Sequence, residues 1–509
     1  MKLTIDLHAS GGRLRAVAAI ATIGLSGLAF GQGDLTPPPL GSAPFSDQAL
    51  DALGAPRPNM KTLTQTDPGQ PIPSKDADLP DLNGSSPVYL ITEPGHYYLT
   101  QNLIGDQPII IRSSDVTLDL RGHTIRYRPT GTGPGGTAVE VGPGSTGPSE
   151  RVEVRNGTVS GDWDAGVVLG DYGTARDLRV SSVQTFGIAV GAQGRVHHCT
   201  VQGPPIAGSA GFMPHAGIFG GVGSIISNSG VRESHGHGIE VDRASRIVDC
   251  TANCVLGSGF VAKEGTSSPA DPGLYQFKGG CTSIEGCASF MNLFSGYDLG
   301  PGTTVVNSTA CENREMGFHL RAGSVASQCT SRMNRGFGFL AESEDPVDVG
   351  SPFVNPRLTP EATSFLHCTA TRNFSDGFRA TINSTFTHCT SDANGLDPGP
   401  AYSPGFICDG FEIVDSCRLV NCMATNNTDA GIRGLEDNYL EQNTIHTNGT
   451  AGIDLASAAN TVIKNYLKFN GVDFVVGGVV TPGGGVGGIA PVVLPSAAPP
   501  LNPFGNFAF

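Results

Sequence analysis

Residues 287–340 read CASFMNLFSGYDLGPGTTVVN (287–307), STACENREMGFHLRAGSVASQ (308–328) and CTSRMNRGFGFL (329–340), and set one above another they show a unit of 21 residues. Gly296, Gly317 and Gly338 align, each followed by an aromatic residue. The same glycine-apolar pair recurs at 166, 187, 217, 238, 259, 377, 410, 431 and 452, and Asp473-Phe474 continues the phase without its glycine. Seven of the eleven gaps are 21 residues; the others are 30, 37, 39 and 33, as one turn carrying an insertion would give. A period of this length belongs to stacked repeats that bury their apolar faces against one another.

The residues between the glycines select the kind of stack. Nine positions before the glycine stand Cys250, Cys287, Ser308, Cys329, Cys368 and Cys422, and two positions later Ala252, Ser289, Ala310, Ser331, Ala370 and Ala424. Small residues at i and i+2 have a strand period, not a helical one. Five residues after the first position comes asparagine: Asn292, Asn313, Asn334, Asn373, Asn394, Asn427 and Asn448. Asparagine tolerates left-handed backbone, and at one corner of a stack its amides can bond from coil to coil. The expected fold is all-β: a single right-handed parallel β-helix of about 13 coils of 21 residues, each holding about three short strands.

One such rod can absorb most of the 509 residues because it grows by stacking. A net charge of −15 argues against nucleic acid or an anionic membrane surface as partner, while leaving room for a polysaccharide bound at a local basic cluster. Lys2, Arg13 and Arg15 precede the apolar run 16–30, and Ala29-Phe30-Gly31 supplies small residues for cleavage, so residues 1–31 read as a signal peptide. The run falls short of the ~20 residues a membrane helix needs, and no later stretch is long enough to span. Residues 32–87 are rich in Pro, Asp, Ser and Gly and read as an arm or linker; 88–476 form the β-helix, with 88–110 expected as its cap; 477–509 are a Gly/Pro-rich tail. The expected product is a monomer, secreted, periplasmic or at the surface of a bacterium.

Twelve cysteines in an exported chain suggest disulfides. Their phase points instead to a stack of buried thiols, with bridges open only among Cys254, Cys281, Cys311, Cys408 and Cys417. With this phase and with strands such as Asp-Val-Thr-Leu-Asp-Leu (115–120), the chain resembles the right-handed β-helix repeat proteins of the pectin-lyase-like group. That group includes pectate lyases, polygalacturonases, mannuronan epimerases and NosD-like periplasmic copper-associated proteins. The resemblance implies the fold, and it implies an extended sugar chain lying along an outward strand face. It covers about residues 110–476.

The group's catalytic signatures are not reproduced. Gly236-His237-Gly238 is present, but its glycine belongs to the repeat; Asn427-Thr428-Asp429 stands downstream of it where the polygalacturonase order wants it upstream; Arg-Ile-Lys is missing. Met213-Pro214-His215-Ala216 lacks both acids of the epimerase signature Asp-Pro-His-Asp.

Position gives a further signal. In the strand after each glycine the first residue faces inward and the next outward. That outward column runs Glu240, Val261, Asp298, His319, Leu340, Arg379, Glu412, Arg433, Asp454, and two residues further Asp242, Lys263, Gly300, Arg321, Glu342, Thr381. A lyase or epimerase acting on a uronate needs a cation for the carboxylate (Arg321, Arg379 or Lys263) and a base for the C5 proton (His319 or Lys263). A hydrolase needs two carboxylates, for which Asp298 with Glu342 or Glu240 qualify. The expected catalytic set is therefore Asp298, His319, Arg321 and Arg379, with Glu240, Asp242, Lys263, Glu342 and Glu412 binding substrate. The competing account is a solvated face carrying coil-to-coil ion pairs. His235-Gly-His237 with His215 would suit copper or zinc, but no metal ligand set and no cofactor is assigned. Two alternatives stay open: a non-catalytic surface or structural protein, and a NosD-like metal-associated one.

Overall fold

A computed structural model describes residues 69–72, 89–105, 109–128, 135–142, 148–204, 216–263, 281–342, 362–395, 408–457, 459–476, 479–481 and 507–508. The segment 1–31 read above as a signal peptide, most of the segment 32–87 read as an arm, His215 and the four long insertions of the repeat lie outside the described residues.

Each coil carries three short strands. In one coil these are Ala288–Phe290, Tyr297–Leu299 and Thr304–Val306. Each pairs in parallel with its counterpart one coil on, at Thr309–Cys311, Phe318–Arg321 and Val325–Ser327. The three resulting stacks are called the thiol sheet, the glycine sheet and the third sheet. Register holds across the insertions: Phe260 pairs with Tyr297, and Phe339 with Phe378. The strands flanking all four insertions keep this register, a one-residue slip of which would turn the buried face outward. The architecture is a right-handed parallel β-helix, the hand that parallel crossovers almost always take.

In-register stacking brings like side chains to the coil spacing. Phe260, Tyr297, Phe318, Phe339, Phe378 and Phe411 form a continuous stack, with ring centroids 4.9, 4.4, 4.7, 4.8 and 4.8 Å apart. Phe365 and Phe386 stack at 4.7 Å and meet this column edge-on, Phe365 lying 5.8 Å from Phe378. The asparagine column is bonded throughout: Nδ2 of Asn292, Asn313, Asn334 and Asn373 donates to Oδ1 of the next asparagine at 2.9 to 3.0 Å. Two shorter ladders, Asn438 to Asn460 at 3.0 Å and Asn443 to Asn465 at 2.9 Å, occupy other corners.

Three expectations need correction. The ladder asparagines are not the left-handed residues. That conformation falls on the residue before them, as at Met291, Glu312, Met333 and Arg372, because the turn must precede the side chain that points inward. The segment 88–110 is not a separate cap. Tyr89–Ile91 pairs in parallel with Ile109–Ile111, and these with Gly135–Val141, so three glycine-sheet strands precede Gly166. The arm supplies the strand Gln70–Ile72, which pairs with Gly95–Leu99 in the third sheet. All twelve cysteines are free, so no bridge joins Cys254, Cys281, Cys311, Cys408 or Cys417. Cys417 belongs to a second inward column, its N–H bonded to Asn438 Oδ1 at 3.0 Å. At the far end Val479–Thr481 folds back antiparallel on Val472–Val476, and Phe507–Ala508 pairs with Tyr466–Lys468.

Candidate functional site

The glycine sheet positions the outward column because its glycines let consecutive coils approach. A Cβ on Gly296 would lie 2.6 Å from the carbonyl of Gly317 and 2.8 Å from Asn313 Nδ2, and one on Gly317 would lie 2.6 Å from the carbonyl of Gly338. The residue two positions on is therefore held in one register down the rod, pairing Asp298 with His319, Leu340 with Arg379, and Glu412 with Arg433.

The strip contains three clusters. In the first, Lys263 Nζ contacts Glu240 Oε1. Glu240 was expected to face solvent and is instead 3% exposed, since Lys263 folds over it. Burial pushes the Asp242 carboxyl up, against the pull of Lys263. His237, weighed from sequence only as a metal ligand, joins this cluster: its Nδ1 accepts the Ser258 N–H at 3.1 Å, which leaves the proton on Nε2. Burial lowers its pKa, opposed by Glu240 and Asp298.

The second cluster brings together three of the four expected catalytic residues, Asp298, His319 and Arg321. Asp298 Oδ1 lies 3.2 Å from His319 Nδ1 and 3.1 Å from Arg321 Nη1, while His319 Nε2 meets Glu342 Oε2 at 3.1 Å. Burial acts to raise the Asp298 carboxyl, but the His319 imidazole and the charge of Arg321 outweigh it and hold the group below its ordinary value. Glu315, two residues before a repeat glycine, lies near Asp298 and is raised by burial. His319 Nδ1 thus faces the Asp298 carboxylate at ion-pair distance without an aligned hydrogen bond to Oδ1, while its Nε2 is hydrogen-bonded to Glu342, whose side chain is 51% exposed.

Arg379, the fourth expected catalytic residue, belongs to a third cluster. Its Nε bonds Glu412 Oε2 at 3.3 Å and its guanidinium lies 5.2 Å above the Phe337 ring. Arg433 bridges Asp409 at 2.7 Å, Asp429 at 3.0 Å and Asp454 at 3.6 Å. Beneath the strip Asp376 and Asp409 stand at the same position of successive coils, directly before the repeat glycines, and both are buried. Asp376 Oδ1 accepts the Asp409 N–H at 2.7 Å, and Asp409 Oδ1 accepts the Ala430 N–H at 2.9 Å. Burial pushes the Asp409 carboxyl up to about 7 despite Arg433. Asp376 is raised well above its ordinary value, first by burial and then by a hydrogen bond to Glu412. Two acids at one repeat position, where other coils carry Ser295, Met316, Phe337 or Ala430, were a signal in the sequence.

Among the described residues no three His, Cys, Asp or Glu converge as metal ligands.

No protein-family profile matches the chain, and no curated protein is similar to it in sequence. In fold it is similar to the periplasmic alginate epimerase AlgG, with a TM-score of 0.41 and 11% identity over 71% of this chain and 85% of that one. It is similar also to the A-module of the Azotobacter vinelandii mannuronan C-5 epimerase AlgE6, at TM-score 0.37 and 12% identity over 72% and 90%. The catalytic domain of a GH87 alpha-1,3-glucanase gives 0.35 and 9% over 64% and 63%. At these values the likeness carries no argument about activity. The chain is a right-handed parallel β-helix protein.

Proposed function

We propose that this is an exported protein that binds, and through His319 processes, an extended anionic polysaccharide along the outward face of the glycine sheet. The observation that carries the reading is the Asp298–His319–Arg321 group: an imidazole facing a carboxylate at 3.2 Å, beside a cation at 3.1 Å from the same oxygen, on a strip running coil to coil. Were Asp298 to accept the Nδ1 proton once substrate closes the group, that tautomer would leave Nε2 as a base, the arrangement that general-base histidines use. Glu342 covers Nε2 in the free protein, so a substrate has to displace it. Arg321 would offset a sugar carboxylate while Nε2 takes the neighbouring ring proton.

A reading without chemistry, in which the strip only binds, is favoured by one observation: both nitrogens of His319 already face carboxylates. One experiment separates the two. Oligouronates are offered to wild type and to His319→Ala and Arg321→Ala, with affinity and turnover both measured. If the strip is a processing site, His319→Ala loses turnover, and Arg321→Ala weakens binding by about tenfold or more, roughly 1.4 kcal/mol. Melting temperatures should fall in both variants, because each removes a partner of the half-buried Asp298 carboxylate, so affinity and turnover are measured well below the lower midpoint. Unchanged binding and turnover in both variants, beside an active wild type, returns the strip to an ordinary solvated face. Export is tested separately, by sequencing the amino terminus of the secreted protein, which should begin after Gly31.

A further inference from the structure

His367 and His388 stand one coil apart at the corner between the third and thiol sheets, directly after the strands Ser364–Leu366 and Thr385–Thr387, which pair in register. Their rings are stacked, with centroids 4.9 Å apart and planes 19° from parallel. Both residues are exposed, and among the described residues neither ring makes a hydrogen bond or an ion pair. Other imidazoles of the rod are engaged: His197 with Ser227, His237 with Ser258, His319 with Asp298 and Glu342, His446 with Thr447. Nor does the backbone ask for histidine at this corner. The same position is left-handed in the coils around it, at Asn307, Gln328, Asn421 and Gln442, and an amide side chain suffices there.

We propose that these two imidazoles form a chelating site for a divalent late transition cation, with one nitrogen from each coil and water in the remaining positions. The inference is independent of the glycan reading, since the pair lies off the glycine sheet. Two nitrogens at right angles, each about 2.0–2.1 Å from one ion, are about 3 Å apart, so each outer ring edge has to tilt inward by only about 1 Å from the observed stack. The rings are exposed and unbonded, so rotation about their side-chain bonds supplies this while the coil pairing stays fixed. Ligand chemistry sets the class of ion. Imidazole suits Zn²⁺, Cu²⁺ and Ni²⁺, whereas Ca²⁺ and Mg²⁺ take oxygen ligands, and the corner column Asn307, Gln328, His367, His388, Asn421, Gln442 contains no carboxylate. Two protein ligands, with no third His, Cys, Asp or Glu converging on them among the described residues, make the ion exchangeable and not a closed structural centre. The second imidazole makes the site: once one coil holds an ion, the ring of the next coil meets it at high effective concentration.

The test is equilibrium dialysis of the full-length protein against NiCl₂ and ZnCl₂ at neutral pH, with MgCl₂ as control. Asparagine already occupies this corner at Asn421, so His367→Asn and His388→Asn remove a ligand and keep the left-handed turn. Wild type should bind one Ni²⁺ or Zn²⁺ per chain ahead of any weaker sites, and no Mg²⁺ there. Each single variant should bind that ion at least about tenfold more weakly, and the double variant no more weakly than either single one, because a lone imidazole has lost the chelate. The ion should also raise the wild-type melting temperature, since it joins two coils, and leave that of both single variants unmoved. Wild type that takes up neither ion, a single variant that keeps wild-type affinity, or losses that add in the double variant as for two separate ligands overturns the proposal. Cys281, an exposed thiol, is the competing ligand. Cys281→Ser should leave the tight ion in place, and its loss in that variant overturns the assignment to the histidines.

Discussion

At the scale of single residues the repeat glycines act by distance and not by backbone angle. Gly317 is not among the residues with positive φ, yet a Cβ there would lie 2.6 Å from the Gly338 carbonyl and strike the Ser331 hydroxyl. The neighbours that would have to yield are a backbone carbonyl and a bonded ladder, neither of which can move alone. Gly317→Ala should therefore destabilise by about 1 to 3 kcal/mol or more. Gly136→Ala, at a strand glycine with nothing within 4 Å of the added carbon, is the control and should be neutral or slightly stabilising. Urea midpoints of the two variants decide the matter, and equal effects would refute the close-approach account. This residue type was legible from the sequence as a period, but its reason was not: a list of glycines does not say whether a turn or a neighbouring carbonyl requires them.

Among elements, the inward columns show what a parallel stack does with one residue repeated. The thiols of Cys250, Cys287, Cys329, Cys368, Cys389 and Cys422 lie in the coil interior, and each of the first four hydrogen-bonds a carbonyl two residues before it or one coil back. Burial raises the Cys199 thiol to about 12, so almost no thiolate is available there, and along the rest of the ladder it is burial itself that denies a reagent access. In native protein a thiol reagent should label Cys281, which is exposed, then slowly Cys254 and Cys311; the other nine should react only after denaturation. Rapid native labelling of three or more of those nine would contradict the inward assignment. The Cys and Asn columns could be read from the sequence because they keep the 21-residue phase. The asparagine ladders at Asn438–Asn460 and Asn443–Asn465 could not, since two repeats are too few to show a column. The coils before Gly166 were legible only as alternating apolar stretches such as 115–120, and their number was not, because they lack the glycine that marked the others.

Over the whole molecule the charged strip runs along one sheet, and its buried acids set the pH response of stability in two opposite limbs. Asp298 is held below its ordinary pKa by His319 and Arg321, so its contribution is present above the unfolded-state value and is lost as pH falls through the folded one. Asp409 is the reverse case. Its carboxyl is raised from 3.8 to about 7, so the folded state holds the proton more tightly than the unfolded state does. Its contribution is fully present below about 3.8 and is lost as pH rises through about 7. Asp376, raised as well, adds to that second limb. Sequence showed where the strip lies but not this inversion, because a formal charge of −15 counts Asp376 and Asp409 as ionised, and only burial between coils says otherwise. The protein should thus be most stable in mildly acidic solution. Its urea midpoint should fall between pH 5 and pH 8, and Asp409→Asn, which cannot ionise, should flatten that fall whatever it does to the absolute level through the lost pair with Arg433. A variant whose midpoint falls in parallel with wild type over the same range would show that Asp409 is already ionised in the folded protein, with Arg433 outweighing the cost of burial.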